Sequence, residues 1–169
     1  MRLFTAIVLN DAVKDEIFRL VCNMQQNAVR GNFTRRENLH VTLVFLGELA
    51  DPAPAEQVLD GLEADAFSLS FSGLGRFRRD GGDICWLGVE PSNVLQQIHS
   101  YLHSRLLPNE AQPHRYRPHI TLGREVILSH EVSNPGKIAM PVTKISLMKS
   151  ERIGGRLIYT EIYQKGLKA

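Results

Sequence analysis

Apolar and polar positions along this chain follow two periods. RLFTAIVL (2–9) is an almost unbroken apolar run of strand length, read as a buried first strand. Val13, Ile17, Leu20, Val21 and Met24 then recur at helical spacing, with Asn10 or Asp11 ahead of them as a cap. They predict a helix that fades near Asn27. RGNFTRREN (30–38) is polar and reads as a loop leading into a strand, HVTLVFLG (40–47). Asp51-Pro52 opens a second helix whose apolar face is Ala55, Val58, Leu59 and Leu62. FSLSFSGL (67–74) alternates, with Phe67, Leu69 and Phe71 on one side. RRDGGD supplies a turn and ICWLGVE (84–90) the returning strand.

The spacing predicts a third helix over 92–107, with Val94, Leu95, Ile98, Leu102 and Leu106 inward. A polar loop, PNEAQPHRYRP, delivers a further strand, PHITLGRE (118–125). VTKISLMKS and RLIYTEIYQ close the chain as a hairpin across Ile153-Gly154-Gly155. The order β-α-β-α-β-β-α-β-β-β implies an α+β fold: two lobes of antiparallel sheet, each with helices on one outer face. At 169 residues the two lobes are expected to form one domain, 1–169.

Composition narrows the classes. An apolar fraction of 43% with 22% charged residues is that of a globular protein, and no apolar run is long enough to span a membrane. MRLFTAIVLND lacks the longer apolar region and cleavage site of a signal peptide, so a cytosolic protein without a membrane partner is expected, by default a monomer. Cys22 and Cys85 sit far apart in apolar surroundings and are expected as buried free thiols. A net charge of +2 excludes a broad cationic surface for nonspecific DNA binding. The basic residues nevertheless bunch: Arg30, Arg35 and Arg36; Arg76, Arg78 and Arg79; His114, Arg115 and Arg117. Such clusters are commonly solvated loops, and the sharper alternative is a small anionic ligand.

One phrase is written twice. His, an aliphatic residue, Thr and Leu occur at His40–Leu43 and again at His119–Leu122, a little under half the chain apart. With average composition one such phrase arises in a chain this long with a chance of about 1 in 200, and two are rarer by that factor again. In a strand, residues i and i+2 share a face, so His40 projects with Thr42, and His119 with Thr121, backed by Val41, Leu43, Ile120 and Leu122.

Two imidazoles and two hydroxyls facing one cleft suit acid–base chemistry at phosphorus. A neutral imidazole takes a proton from the attacking oxygen, a protonated one supplies the leaving oxygen, and a reference pKa of about 6.5 lets both states coexist. The hydroxyls can hold non-bridging phosphate oxygens. A metal site is the first rival, but it needs a third ligand; Glu48 and Glu125 come late, at the strand ends, so no metal or other cofactor is expected. No GxSxG motif supports a serine nucleophile.

HVTLVFLG and PHITLGR resemble the paired HxTx signatures of the 2H phosphoesterases. With the opening strand and helix, ENLHVTLVFLGE, ICWLGV, RPHITLGR and LMKSERIGGRLIYTEIYQKGL, the chain is most similar to the bacterial and archaeal RNA 2′,3′-cyclic phosphodiesterases, also called 2′-5′ RNA ligases. The resemblance implies two pseudo-symmetric lobes around a central cleft. It also implies metal-independent hydrolysis of an RNA terminal 2′,3′-cyclic phosphate to a 2′-phosphate. His40, Thr42, His119 and Thr121 match the catalytic motif, with His40 assigned as the acid for the ribose 3′ oxygen and His119 as the base for water. By the same resemblance Phe45 borders the nucleotide and Arg124 contacts phosphate or base. Simple alternation puts both on the face opposite the histidines, unless the strands bulge or twist.

Further substrate-binding candidates are Arg30, Phe33, Tyr116 and Arg117. Phe33 stands where many relatives of that family carry tryptophan, and it can stack a base. Tyr116 and Arg117 could line the rim. His99 and His103, four apart, are expected on a solvated helix face, and His114 and His130 at the surface. The expected partners are RNA 3′ ends or oligonucleotides with a 2′,3′-cyclic phosphate. Alternatives are a phosphodiesterase for another 2′-linked or cyclic nucleotide and a non-catalytic RNA- or nucleotide-binding module; alanine at either histidine separates binder from enzyme.

Overall fold

A computed structural model of the chain describes residues 1–113 and 115–169. The expectation for His114 lies outside the described residues. The elements run β1 (Arg2–Val8), α1 (Asp11–Gln26), β2 (Ala28–Phe33), β3 (His40–Glu48), α2 (Ala53–Asp60), β4 (Phe67–Phe77), β5 (Asp83–Val89), α3 (Asn93–Leu106), β6 (His119–Leu128), β7 (Ile138–Val142), β8 (Lys144–Ile153) and β9 (Arg156–Gly166). A single turn of 3₁₀ helix, Arg36–Asn38, precedes β3.

Two sheets form, one ordered β3-β1-β8-β9 and the other β2-β6-β5-β4-β7, and their strand pairs are antiparallel. Each carries one motif strand, β3 or β6. The lobes are not halves of the sequence: the first sheet takes β8 and β9 from the C-terminal third, and the second takes β2 from the N-terminal third. The helices cross over as well. α1 packs on β2, β6 and β7, whereas α3 packs on β3, and α2 on α3, β8 and β9. One apolar cluster joins both lobes.

α1 begins where its cap predicts, after Asn10; α2 begins one residue later than Asp51 as cap implies, with Pro52 in the cap position, and Ser92 caps α3. Asn10 Oδ1 accepts from the Val13 N–H at 2.9 Å, Ser92 Oγ from Leu95 at 3.2 Å, and Asp51 Oδ1 from Ala53 at 3.0 Å, each satisfying an orphan donor. Val13, Ile17, Leu20, Val21 and Met24 are buried, as their spacing predicts.

Three expectations are corrected. The polar segment at 30–38 is not all loop, because its first residues finish β2, an edge strand bonded only to β6. An edge strand needs no continuous apolar face, and Val29 is 70% exposed. β7 is also absent from the predicted order; it is a short edge strand with Pro141 in it, bonded to β4. Finally, His99 and His103 are buried, not solvated. They fall between Leu95, Ile98 and Leu102 on the inward stripe of α3, which faces β3 rather than water.

Candidate active site

The two motif strands are built alike. In β3 the partner register passes from Ala6↔Thr42 to Thr5↔Val44, leaving Leu43 as an extra residue. In β6 it passes from Trp86↔Thr121 to Cys85↔Gly123, leaving Leu122 as the extra. Each bulge sits directly after the motif threonine and reverses the side-chain parity beyond it. Val41, Leu43 and Val44 are buried while Phe45 turns out to 48% exposure; Ile120 and Leu122 are buried while Arg124 turns out to solvent. Phe45 therefore joins His40 and Thr42, and Arg124 joins Thr121, on the wall of one cleft. This resolves the parity conflict that simple alternation creates.

The cleft encloses about 1490 Å³. It is lined from the β3 side by Phe4, His40, Thr42, Phe45 and Tyr159 and from the β6 side by Phe33, Thr121 and Arg124. Phe33 lies over Gly123, where a Cβ would meet the ring at 3.1 Å, so glycine there leaves the ring its place.

Both imidazoles are held by the same bond. His40 Nδ1 lies 2.6 Å from the Asn38 carbonyl and His119 Nδ1 2.8 Å from the Arg117 carbonyl. A carbonyl only accepts, so Nδ1 carries the proton in each ring, and in the neutral imidazole Nε2 is the accepting nitrogen. Thr42 Oγ1 sits 2.8 Å from His40 Nε2. His40 packs against Phe4 at 5.1 Å and Tyr159 at 5.1 Å; His119 packs against Phe77 at 5.4 Å and Trp86 at 6.1 Å. Each imidazole thus packs against a pair of aromatic rings that also touch each other, Phe4 on Tyr159 at 5.0 Å and Phe77 on Trp86 at 5.4 Å.

Burial pushes the His40 pKa below its ordinary value. The Asn38 bond opposes this, and repulsion from His119, Arg124 and Lys14 adds to it. The His119 and Arg124 charges reach His40 because the motif strands approach each other across the cleft, and Lys14 acts from α1.

The remaining candidates separate. Arg30 is exposed and is not itself on the cleft wall; it donates to the carbonyl of Gly81, a cleft-lining residue, at 2.7 Å and braces β2 against the β4–β5 turn. Arg117 contributes its carbonyl to His119, while its side chain is exposed. Tyr116 is not at the rim: its hydroxyl donates to the Thr42 carbonyl at 2.6 Å, and its ring stacks on His99 at 3.9 Å. Cys85 is buried and Cys22 only half-buried. Glu48 and Glu125 do line the cleft, with Glu125 accepting from Asn32 at 2.8 Å. Among the described residues no three His, Cys, Asp or Glu side chains converge as metal ligands would.

Sequence reasoning missed Phe4 and Tyr159 beside His40, and Arg2 and Arg152 along the cleft; of the basic cluster Arg76, Arg78 and Arg79, it is Arg79 that lines the cleft. The rings carry no local signal, because strand pairing brings them from opposite ends of the chain. Among the described residues Arg2, Arg79, Arg124 and Arg152 have no carboxylate partner, in contrast to Arg36, bound to Asp11 and Asp15, and Arg76, bound to Asp83 and Glu131.

Residues 13–153 match the family model of the 2′-5′ RNA ligase superfamily. The chain belongs to this superfamily. It is similar to the RNA 2′,3′-cyclic phosphodiesterase of Escherichia coli, 31% identical over 95% of this chain and 93% of that protein. The enzyme of the same name from Thermotoga maritima is 30% identical over 73% and 70%. Among solved structures, E. coli LigT in apo form superposes with a TM-score of 0.87 at 26% identity, covering 99% of this chain and 98% of that one. LigT complexed with 3′-AMP superposes with a TM-score of 0.85 at 27% identity over the same shares. The α+β architecture described above is that of the 2H phosphoesterase fold.

Proposed function

We propose that this protein hydrolyses the 2′,3′-cyclic phosphate at an RNA 3′ end to a 2′-phosphomonoester by two-histidine acid–base catalysis, with no metal in the chemical step. The observation that carries this is the pair of imidazoles on the two motif strands, each with Nδ1 held by the carbonyl two residues before it, at a cleft whose wall includes His40, Thr42 and Thr121. Water attacks phosphorus as one imidazole takes its proton; the P–O3′ bond breaks as the other gives a proton to the 3′ oxygen. Thr42, Thr121 and Arg124 hold the non-bridging oxygens, where negative charge builds.

The rings lining the cleft from the β3 side, Phe4, Phe45 and Tyr159, favour the nucleoside on the His40 side. His40 then adjoins the 3′ oxygen as acid, and His119 activates water. Burial lowers the His40 pKa, and an anionic phosphodiester beside it supplies the opposite charge that favours the protonated ring. A cleft of about 1490 Å³ exceeds the roughly 300–1,000 Å³ of ordinary small-ligand sites, which favours an RNA end over a mononucleotide. With a 5′-hydroxyl in place of water as nucleophile, the same ring opening forms a 2′-5′ linkage: the P–O5′ bond forms as the P–O3′ bond breaks. The enzyme is proposed to act as a cytosolic monomer.

The test is incubation in EDTA with a short RNA ending in a 2′,3′-cyclic phosphate. A 2′-phosphate product, lost in His40→Ala and in His119→Ala, supports the proposal. Cleavage only after Zn²⁺ or Mn²⁺ is added would overturn its metal-free chemistry. Unchanged RNA under both conditions would point to another 2′-linked substrate or to binding alone.

A further inference from the structure

The two motif strands are tied to each other by a reciprocal pair of hydroxyl bonds. Tyr116, three residues before His119, donates its hydroxyl to the Thr42 carbonyl of the first motif at 2.6 Å. Thr34, six residues before His40, donates its hydroxyl to the Thr121 carbonyl of the second motif at 2.9 Å. The segment that leads into each motif therefore holds the backbone of the other motif at its threonine.

We propose that Tyr116 and Thr34 are positioning residues that set the separation of the two catalytic motifs, and so the distance over which the two imidazoles span one phosphorus.

Both ends of each tie are anchored. The Tyr116 ring lies flat on His99, with 6° between the planes, and the Tyr116 carbonyl accepts from Gln96 Nε2 at 3.2 Å, so the residue is fixed to α3 on both sides. His99 is itself buried in the face of α3 that packs on β3. Thr34 adds a backbone bond, its N–H donating to the Leu122 carbonyl at 2.9 Å, directly at the bulge that turns Arg124 into the cleft. β3 is an edge strand, so its outer side has no ladder partner, and Tyr116 takes that place at Thr42. Burial raises the Tyr116 pKa, which keeps the hydroxyl a neutral donor across the physiological range.

The side chains of Thr42 and Thr121 face the cleft while their carbonyls are held from behind. A loosened tie moves the hydroxyl, the neighbouring imidazole and the residue beyond the bulge together. Displacement of a reacting group by about 1 Å can cost on the order of 100-fold in rate. This inference deepens the proposed function and rests on it for its kinetic readout.

The experiment uses the full chain with Tyr116→Phe, Thr34→Val and the double variant, each removing a hydroxyl with little change of shape. Expected is a fall in kcat of about 10-fold or more with KM for the cyclic-phosphate RNA nearly constant, and a larger fall in the double variant. In parallel, the His40 imidazole is titrated by NMR without substrate. As its ring gains distance from His119, its midpoint should rise in both single variants. Wild-type kcat in the single and double variants, or a change confined to KM, would overturn the proposal. Should the wild-type protein fail to cleave the RNA, the functional reading falls, and the titration alone decides the positioning role: an unchanged His40 midpoint rejects it. Should Tyr116→Phe fail to fold, Thr34→Val carries the same two readouts.

Discussion

The Tyr159 ring stands edge-on to the His40 imidazole, 5.1 Å between centroids and 86° between planes, and Phe4 packs against both rings. Tyr159 comes from β9 and Phe4 from β1, neighbours of β8 in the same sheet. Their rings exclude water from His40 and so lower its pKa. Tyr159→Ala is expected to admit water and raise that pKa towards the ordinary histidine value. An NMR titration of His40 in the two proteins checks it; an unchanged midpoint would show that the ring does not control desolvation.

The two histidines are separated by the pH dependence of whichever remains. In His119→Ala the residual rate depends on His40 as acid. It should be greatest at low pH and fall as pH rises through His40's depressed pKa. In His40→Ala the residual rate depends on His119 as base and should rise with pH. Opposite slopes in the two variants would reverse the assignment of roles. A substrate with sulfur in place of the 3′ oxygen sharpens the comparison, because a thiolate leaves without a proton: it should rescue His40→Ala and leave His119→Ala slow.

Arg124 has no carboxylate partner among the described residues and shares the cleft wall with Thr121. Its role as a charge clamp predicts that Arg124→Gln lowers kcat by roughly 100-fold or more, the scale of removing one preorganised donor from a transition state. Arg124→Lys should recover only part of this, since an ammonium cannot match two phosphate oxygens as a planar guanidinium does. Steady-state kinetics of the three proteins decide; equal rates for Lys and Gln would mean the charge itself contributes nothing.

What the chain revealed in advance, and what it withheld, follows from the range of each signal. The HxT pairs were legible because their parity is local: two residues apart in a strand is one face. Phe45 and Arg124 were legible only through the family resemblance and not through parity, since each lies beyond a bulge set by pairing with β1 or β5. The spacing of His99 and His103 with Leu95, Ile98 and Leu102 already marks one helical stripe, but residue type suggested solvent. Tyr116 looked like a loop residue because its partners, Thr42 and His99, are supplied only by the docking of α3 and β6 against β3.

Gly75 makes room for the chain's single tryptophan. A Cβ there would run into the six-membered ring of Trp86, which packs against Phe77 at 5.4 Å and stands beside His119. Gly75→Ala is expected to displace the ring and destabilise the fold by about 1–3 kcal/mol, the usual cost of overpacking. Because Trp86 is the only tryptophan, its emission reports the shift without ambiguity. Denaturant unfolding followed by fluorescence measures both effects. Unaltered emission with unaltered stability would mean the contact relaxes freely.

His99 makes stability depend on pH. Its pKa in the folded protein is pushed down to about 4 by burial and by His103, against about 6.5 in the unfolded chain. Between these values the unfolded chain binds a proton that the folded protein refuses. Stability is therefore complete above about pH 6.5 and is lost progressively as pH falls towards 4. The loss attributable to His99 is on the order of 2 kcal/mol at the acid end of that window. Carboxylates titrate in the same range, so the measurement is a difference: urea unfolding at pH 7.5 and pH 4.5 for wild type and His99→Leu. A leucine side chain binds no proton, so the variant should lose less stability on acidification than the wild type. Equal losses would mean that His99 opens to water before the protein unfolds, and that the Tyr116 stack is looser than its geometry suggests.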